Sequence, residues 1–390
     1  MIWEKVTLGE LYTVHNGLSK GRKFFGTGDP FLSFSTVFNN YFIPDELVDL
    51  VQSDEKEQKN YSISRGDVFV TRTSETSDEL GMSCVALKDY PRATYNGFTK
   101  RMRPIAIDRV LPEYIGYYMR MPSFRCKFQA FSTMTTRASL KNEDLLSLTI
   151  SLPPMEQQIR IAEVLQTYDK LIENNQKQIK LLEEAAQRLY KEWFVDLHFP
   201  GYEDVEIVDG VPEGWKITPI NMVANLKAGG DKPKIFSKKM TSENKIPVFA
   251  NGITGKGLMG FTDKAVINNP SVTISARGTV GVVFLRTEPY VPIVRLISVT
   301  PIEDKIDILY LYLYLINQNF RSTGAAQQQI TVPLLKSKNI VCPTNDVRKS
   351  FNNVITPIFN KIEILEKHIN KLTESRERLL PKLMSGEIEV

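Results

Sequence analysis

Residues 153–194 read PPMEQQIRIAEVLQTYDKLIENNQKQIKLLEEAAQRLYKEWF, a run whose apolar spacing organises the whole chain. Behind the two prolines, Ile161, Leu165, Tyr168, Ile172, Asn175, Ile179, Leu182, Ala186, Leu189 and Trp193 recur at alternating steps of four and three, with Asn175 the one polar interruption. An alternation sustained over several heptads is a coiled-coil seam, narrower than the stripe of a globular surface helix. Pro154 and Glu156 suit a helix start, and Gly201 after Phe199-Pro200 ends the block. A helix from Glu156 to Phe194 is roughly 58 Å long at the usual rise per residue.

The seam occurs twice. Adding 190 gives Phe351, Ile355, Ile358, Ile362, Leu365, Ile369, Leu372, Arg376, Leu379 and Leu383, the same register with one charged member. The same offset aligns RLYKEWF at 188–194 with RLLPKLM at 378–384, and Pro153 with Pro343. A shared register predicts two helices packed on each other, with Asn175 as a register-fixing polar residue in the seam. Pro381 is expected to end or kink the second helix.

Trp3-Glu4-Lys5 and Trp215-Lys216 open the two halves at an offset of 212, so the first half carries 22 more residues between Trp and Pro. The 390 residues therefore divide into a variable block 1–152, a helical block 153–210, a variable block 211–342 and a helical block 343–390. Each variable block has the size of one domain. Gly66-Asp67 turns into the strand-like Val68-Phe69-Val70-Thr71, and Pro270-Ser271 into Val272-Thr273-Ile274-Ser275. Asn251-Gly252 and Gly255-Lys256-Gly257 punctuate the second block as hairpin turns do, and helical stretches follow near 112–120 and 307–318. Both blocks read as mixed α and β, strands early and a helix late.

Several classes are disfavoured at once. The longest apolar run, residues 308–316, is too short to span a bilayer. The opening MIWEKVTLGE is not a secretory signal, and Cys84, Cys126 and Cys342 form no CxxC, which points to the reducing cytoplasm. His15, His198 and His368 lie too far apart in sequence to suggest a histidine cluster. Asn269-Pro270-Ser271-Val272 lacks the second proline and the aromatic of an adenine methyltransferase loop. The run from Gly252 to Gly257 lacks the spacing of a P-loop. Pro44-Asp45 with Asp54-Glu55-Lys56 has the bare spacing of a Mg²⁺-dependent nuclease, but in a polar run without a strand pattern. A duplicated chain without a readable active site points to recognition or scaffolding.

The net charge of +4 divides by block into +1, −6, +8 and +1. The acidic first helix is no phosphate surface; the second variable block is suited to one. Its DNA-contact candidates are Lys232, Lys234, Lys238 and Lys239, with Lys256 on a Gly turn, Arg277 and Thr279 after a strand, and Asn251, Gln327 and Gln328 as base readers. In the first block they are Lys20, Arg22, Lys23, Arg72, Lys100, Arg101 and Arg137.

The run Leu152-Pro153-Pro154-Met155-Glu156-Gln157-Gln158-Ile159 resembles the conserved helix start of type I restriction-modification specificity subunits, and Leu379-Leu380-Pro381-Lys382-Leu383-Met384-Ser385-Gly386-Glu387-Ile388 resembles their carboxyl end. Gly66 to Arg72, Asn251 to Gly255, and Ala276-Arg277-Gly278-Thr279-Val280-Gly281 are similar to motifs of their target recognition domains. Pro343-Thr344-Asn345-Asp346 departs from the pattern, lacking the double proline and glutamine pair. The resemblance implies an α+β fold, with two repeated mixed α/β target recognition domains separated by two long helices packed as an antiparallel coiled coil. It implies a non-catalytic subunit that reads a bipartite, asymmetric site in double-stranded DNA and docks two methyltransferase subunits. Those partners would carry S-adenosylmethionine, and motor-nuclease subunits would bring ATP and Mg²⁺; the chain itself would bind no cofactor. The rival readings are a coiled-coil scaffold that binds proteins, whose mark is the lack of steeply salt-dependent duplex binding, and the nuclease, abolished by Asp54→Ala.

Overall fold

The structure is a computed structural model, which describes residues 3–74, 80–129, 138–320 and 329–390. The prolines at 153 and 154 are followed at once by a single helix, Met155–Phe194, and the second long helix runs Asn345–Ser385. All the seam residues Ile161, Leu165, Ile172, Asn175, Ile179, Leu182, Leu189, Ile355, Ile362, Leu365, Ile369, Leu372 and Leu379 are buried or half-buried. The first helix stops at Phe194, ahead of Gly201, with Leu197 in the left-handed region just after it. Pro381 does not end the second. Leu380, Leu383 and Met384 are buried on either side of it, so packing outweighs one lost backbone hydrogen bond. The helix ends instead at Gly386, whose φ of +75° lets Glu387 N–H reach back to the Lys382 carbonyl.

The chain forms two compact units, residues 1–174 with 368–390, and residues 175–367. They cut across the linear blocks, since each takes part of both long helices. In the first unit Ile161 and Leu165 share a core with Leu380, Leu383 and Met384. In the second, Ala186, Tyr190, Trp193 and Phe194 share one with Phe351 and Ile355. The beginning of one helix therefore meets the end of the other, and the pair is antiparallel.

In the first unit an antiparallel four-stranded sheet has the order Tyr12–Asn16, Thr99–Pro104, Val68–Thr71, Ser83–Val85. A second sheet places Phe25–Leu32 between Leu50–Val51, antiparallel, and Thr94–Tyr95, parallel. Glu4–Thr7 pairs with Thr149–Leu152 just before the long helix. The helix Pro112–Tyr118 packs its buried tyrosines into this core, and Tyr114 Oη donates to the Ser151 carbonyl.

The second unit repeats these three sheets in the same order. Its four-stranded sheet runs Ala224–Ala228, Leu296–Pro301, Ser271–Ser275, Val283–Arg286. Its three-stranded sheet places Ile246–Phe249 between Leu258–Thr262, antiparallel, and Val291–Pro292, parallel. Lys216–Pro219 pairs with Asn339–Cys342, and Tyr310 on the helix Ile308–Ile316 donates to the Val341 carbonyl as Tyr114 does to Ser151.

Candidate nucleic-acid interface

The basic residues singled out in the first variable block have different fates. Arg22 and Lys23 are exposed beside Phe24, whereas Lys20 is half-buried and donates to Glu57 and the Gln52 carbonyl at 2.5 and 2.6 Å. Arg22 and Lys20 line a cavity of about 500 Å³ with Phe25 and the exposed Phe98, an aromatic the sequence did not mark. The run Lys100-Arg101-Met102-Arg103 is split by its strand, because alternate residues face opposite sides. Arg101 is buried, donates to the Ser62 carbonyl at 2.6 Å and stands over Tyr95, so it is a core residue rather than a phosphate contact. Arg103 pairs with the fully buried Asp67 at 2.6 Å, which holds its pKa up.

Lys100 turns the other way. With Arg72 it lines a polar cavity of about 580 Å³, shared with Asn16, Leu140, Lys141, Asn142 and Glu143. Four of these, Asn16, Lys141, Asn142 and the acidic Glu143, are polar groups that sequence reasoning passed over. Arg137, Gln327 and Gln328 lie outside the described residues.

In the second unit the two quoted motifs come together. Asn251 Nδ2 donates to the Arg277 carbonyl at 2.8 Å, and the Thr279 hydroxyl donates to the Asn251 carbonyl. Gly278 lies between them with φ +83°, a backbone conformation that favours glycine, and a Cβ there would stand 2.9 Å from Asn251 Nδ2. Arg277 is exposed on it. Lys232, Lys234, Lys238 and Lys239 are exposed on the long connection between the Ala224–Ala228 and Ile246–Phe249 strands, with Lys232 3.6 Å from the Phe236 ring centroid. Lys256 is otherwise engaged. The turn Thr254–Gly257 aims it at Glu366 of the second long helix, with which it forms an ion pair.

That pair borders a cavity of about 590 Å³ within the second unit, floored by Ile308, Leu309, Tyr312 and Phe359 and rimmed by Glu183, Glu363 and Glu366. Partial burial raises the Glu183 pKa, with Glu366 adding and Lys256 opposing. An acid-rimmed cavity repels phosphate, so the Lys100 and Arg22 cavities are the ones that suit nucleic acid. The nuclease reading fails on geometry. Asp54 caps the helix Glu55–Asn60 by accepting from Glu57 N–H at 2.8 Å, and Asp45 pairs with Lys88. Among the described residues no three acidic, histidine or cysteine side chains gather to hold a metal. Nor, among those residues, is any helix long and apolar enough to cross a membrane.

Comparison with known proteins gives the same picture. The family model for the type I restriction modification DNA specificity domain matches residues 2–184 and again 212–374. The type I restriction enzyme MjaIX specificity subunit of Methanocaldococcus jannaschii is 27% identical over 348 residues, covering 83% of this chain and 79% of that one. The HindI specificity subunit of Haemophilus influenzae is 24% identical and covers 99% of both. A crystal structure of a type I restriction-modification S subunit from M. genitalium, 16% identical, shares the fold with a TM-score of 0.57 over 98% of this chain and 96% of that one.

Proposed function

Since the chain belongs to the type I restriction-modification DNA specificity family, we propose that it reads a bipartite, asymmetric site in duplex DNA, one half with each variable module. The observation that carries this reading is the repetition of one strand plan with different side chains at its equivalent positions. Two copies of one fold with exchanged side chains suit two tasks of one kind on two different words. The antiparallel helices serve as the spacer between the modules and as the docking surface for methyltransferase subunits. Half-site spacing then follows from helix length, as it does for dimeric groove readers. Methyl transfer with S-adenosylmethionine, and translocation and cleavage with ATP and Mg²⁺, belong to the partners in this reading; this chain supplies position and choice of sequence.

The test is to map adenine methylation in cells carrying this chain with its methyltransferase. A motif of two unlike half-words with a constant gap is expected, and a palindrome or an uninterrupted word overturns the reading. Adding one heptad between Ile172 and Ala186, with a matching one between Ile362 and Arg376, lengthens the gap. A constant gap sinks the spacer role.

A further inference from the structure

In the first unit, Asn16 at a strand end, Arg72 just beyond another, Lys100 inside a third, and Lys141 and Asn142 at the start of a short helix gather around one cavity. Lys100 is only 5% exposed, and its ammonium donates to the Asn142 amide oxygen. An ammonium has three N–H groups to satisfy, and burying it without enough acceptors is costly. Arg72 brings a second cation, and its Nε is buried without a hydrogen-bond partner among the described residues. Burial first and Arg72 second push the Lys100 pKa down, with Asp144 opposing. Two cations thus share a cavity that Glu143 also lines, and among the described residues one of their nitrogens is buried without an acceptor.

The second unit shows that the fold does not require them. Leu140 N–H donates to the Arg72 carbonyl and Ile330 N–H to the Ala276 carbonyl, which makes Arg72 equivalent to Ala276 and Asn142 to Val332. Strand register makes Lys100 equivalent to Ile297 and Asn16 to Ala228. Ala228, Ala276, Ile297 and Val332 are aliphatic there, and Lys141 gives way to the helix-capping Thr331. Phosphates are common to every half-site, so a phosphate clamp at this place has reason to recur in both modules. Base edges differ between half-sites, and a cluster exchanged as a set follows the bases.

We propose that Arg72 and Lys100, with Asn142 orienting the lysine and Asn16 and Lys141 flanking it, read one guanine of the first module's half-site. Guanine offers O6 and N7 as two adjacent acceptors in the major groove, the partner that paired Arg and Lys donors fit; adenine puts a donor where O6 stands. This inference rests on the two-word reading above.

Lys100→Met keeps the volume of the buried stem and removes the charge. In methylation mapping of the whole complex, the motif should lose its demand for guanine at one position of one half, with discrimination there falling about 10- to 100-fold. The other half-word and the gap stay as they were, which certifies a folded complex. Asn16→Ala, Arg72→Ala and Lys100→Ile together install side chains that the second module already carries, and should give the same relaxation even where Lys100→Met alone fails to assemble. An unchanged motif in both variants overturns the proposal and leaves the two-word reading standing. So does an even fall in methylation with no position relaxed, which is the behaviour of a phosphate contact. A wild-type complex without a two-part motif overturns both.

Discussion

At one matched place on the helix pair the first unit uses a half-buried ion pair and the second uses rings. In the first, Arg376 meets Asp169 across the seam, Tyr117 Oη donates to the same carboxylate, and the guanidinium stands 5.2 Å from the Tyr41 ring centroid. Moved by 190 residues, Asp169 and Arg376 become Phe359 and Ala186 in the second unit, where Tyr312 lies edge-on to Phe359 at 5.7 Å. There Phe194 lies edge-on to Tyr310 at 4.7 Å and to Phe351 at 4.8 Å; the first unit has Met384, Tyr114 and Ile161 at the matching places. A half-buried ion pair adds little net stability because desolvation offsets its attraction, but it penalises every other register. Ring packing adds energy and tolerates small slips more readily. One end of the helix pair is specified, and the other is held.

The sharpest way to break that contrast is Phe194→Ala. It should cost about 3–5 kcal/mol, seen as lost hydrogen-exchange protection across residues 175–367 while the first unit keeps its own. An equal loss in both units contradicts the division. Arg376→Ala comes next, at about 1–3 kcal/mol, because Asp169 is left partly buried without its cation. Combining it with Asp169→Phe copies the second unit's pair and should recover part of that loss by denaturant titration; a double variant no better than the single one refutes the view that the charge serves register. The smallest effect is expected from Glu183→Gln. Burial raises the Glu183 pKa above its ordinary 4.5, so the folded state holds that proton more tightly than the unfolded one. Its carboxylate therefore costs stability as pH rises through the folded pKa, and the cost is absent below the unfolded value. The variant should melt slightly higher at neutral pH and match the wild type below pH 4.5.

The helix pair was legible in the sequence because a heptad seam is local and its copy keeps one offset throughout. The partner of its charged member was not, since Asp169 and Arg376 are far apart in sequence and only antiparallel packing brings them together. The strands and the late helix of each block were legible as types. The cavity was not, and offset explains why. Equivalent positions differ by 212 at Asn16 and Ala228, by 204 at Arg72 and Ala276, by 197 at Lys100 and Ile297, and by 190 at Asn142 and Val332. The surplus of the first half is spread over several insertions, and only strand register aligns what they separate. Lys100 and Arg101 look like one basic cluster in a string of letters, yet a strand sends one to a cavity and the other to the core. The diversion of Lys256 to Glu366 left no local trace either.

The composition of the first unit has a consequence for biosynthesis. Its core joins residues 1–174 to residues 368–390, with Trp3, Ile161, Leu380, Leu383 and Ile388 in one cluster, whereas the second unit is a single unbroken segment. The core of the first unit can therefore be completed only once the whole of the second unit has been translated, while nothing beyond residue 367 is needed to complete the second. A chain cut short before residue 368 lacks part of the first unit's core and keeps every residue of the second. A lesion beyond residue 367 thereby falls on the unit that holds residues 1–174.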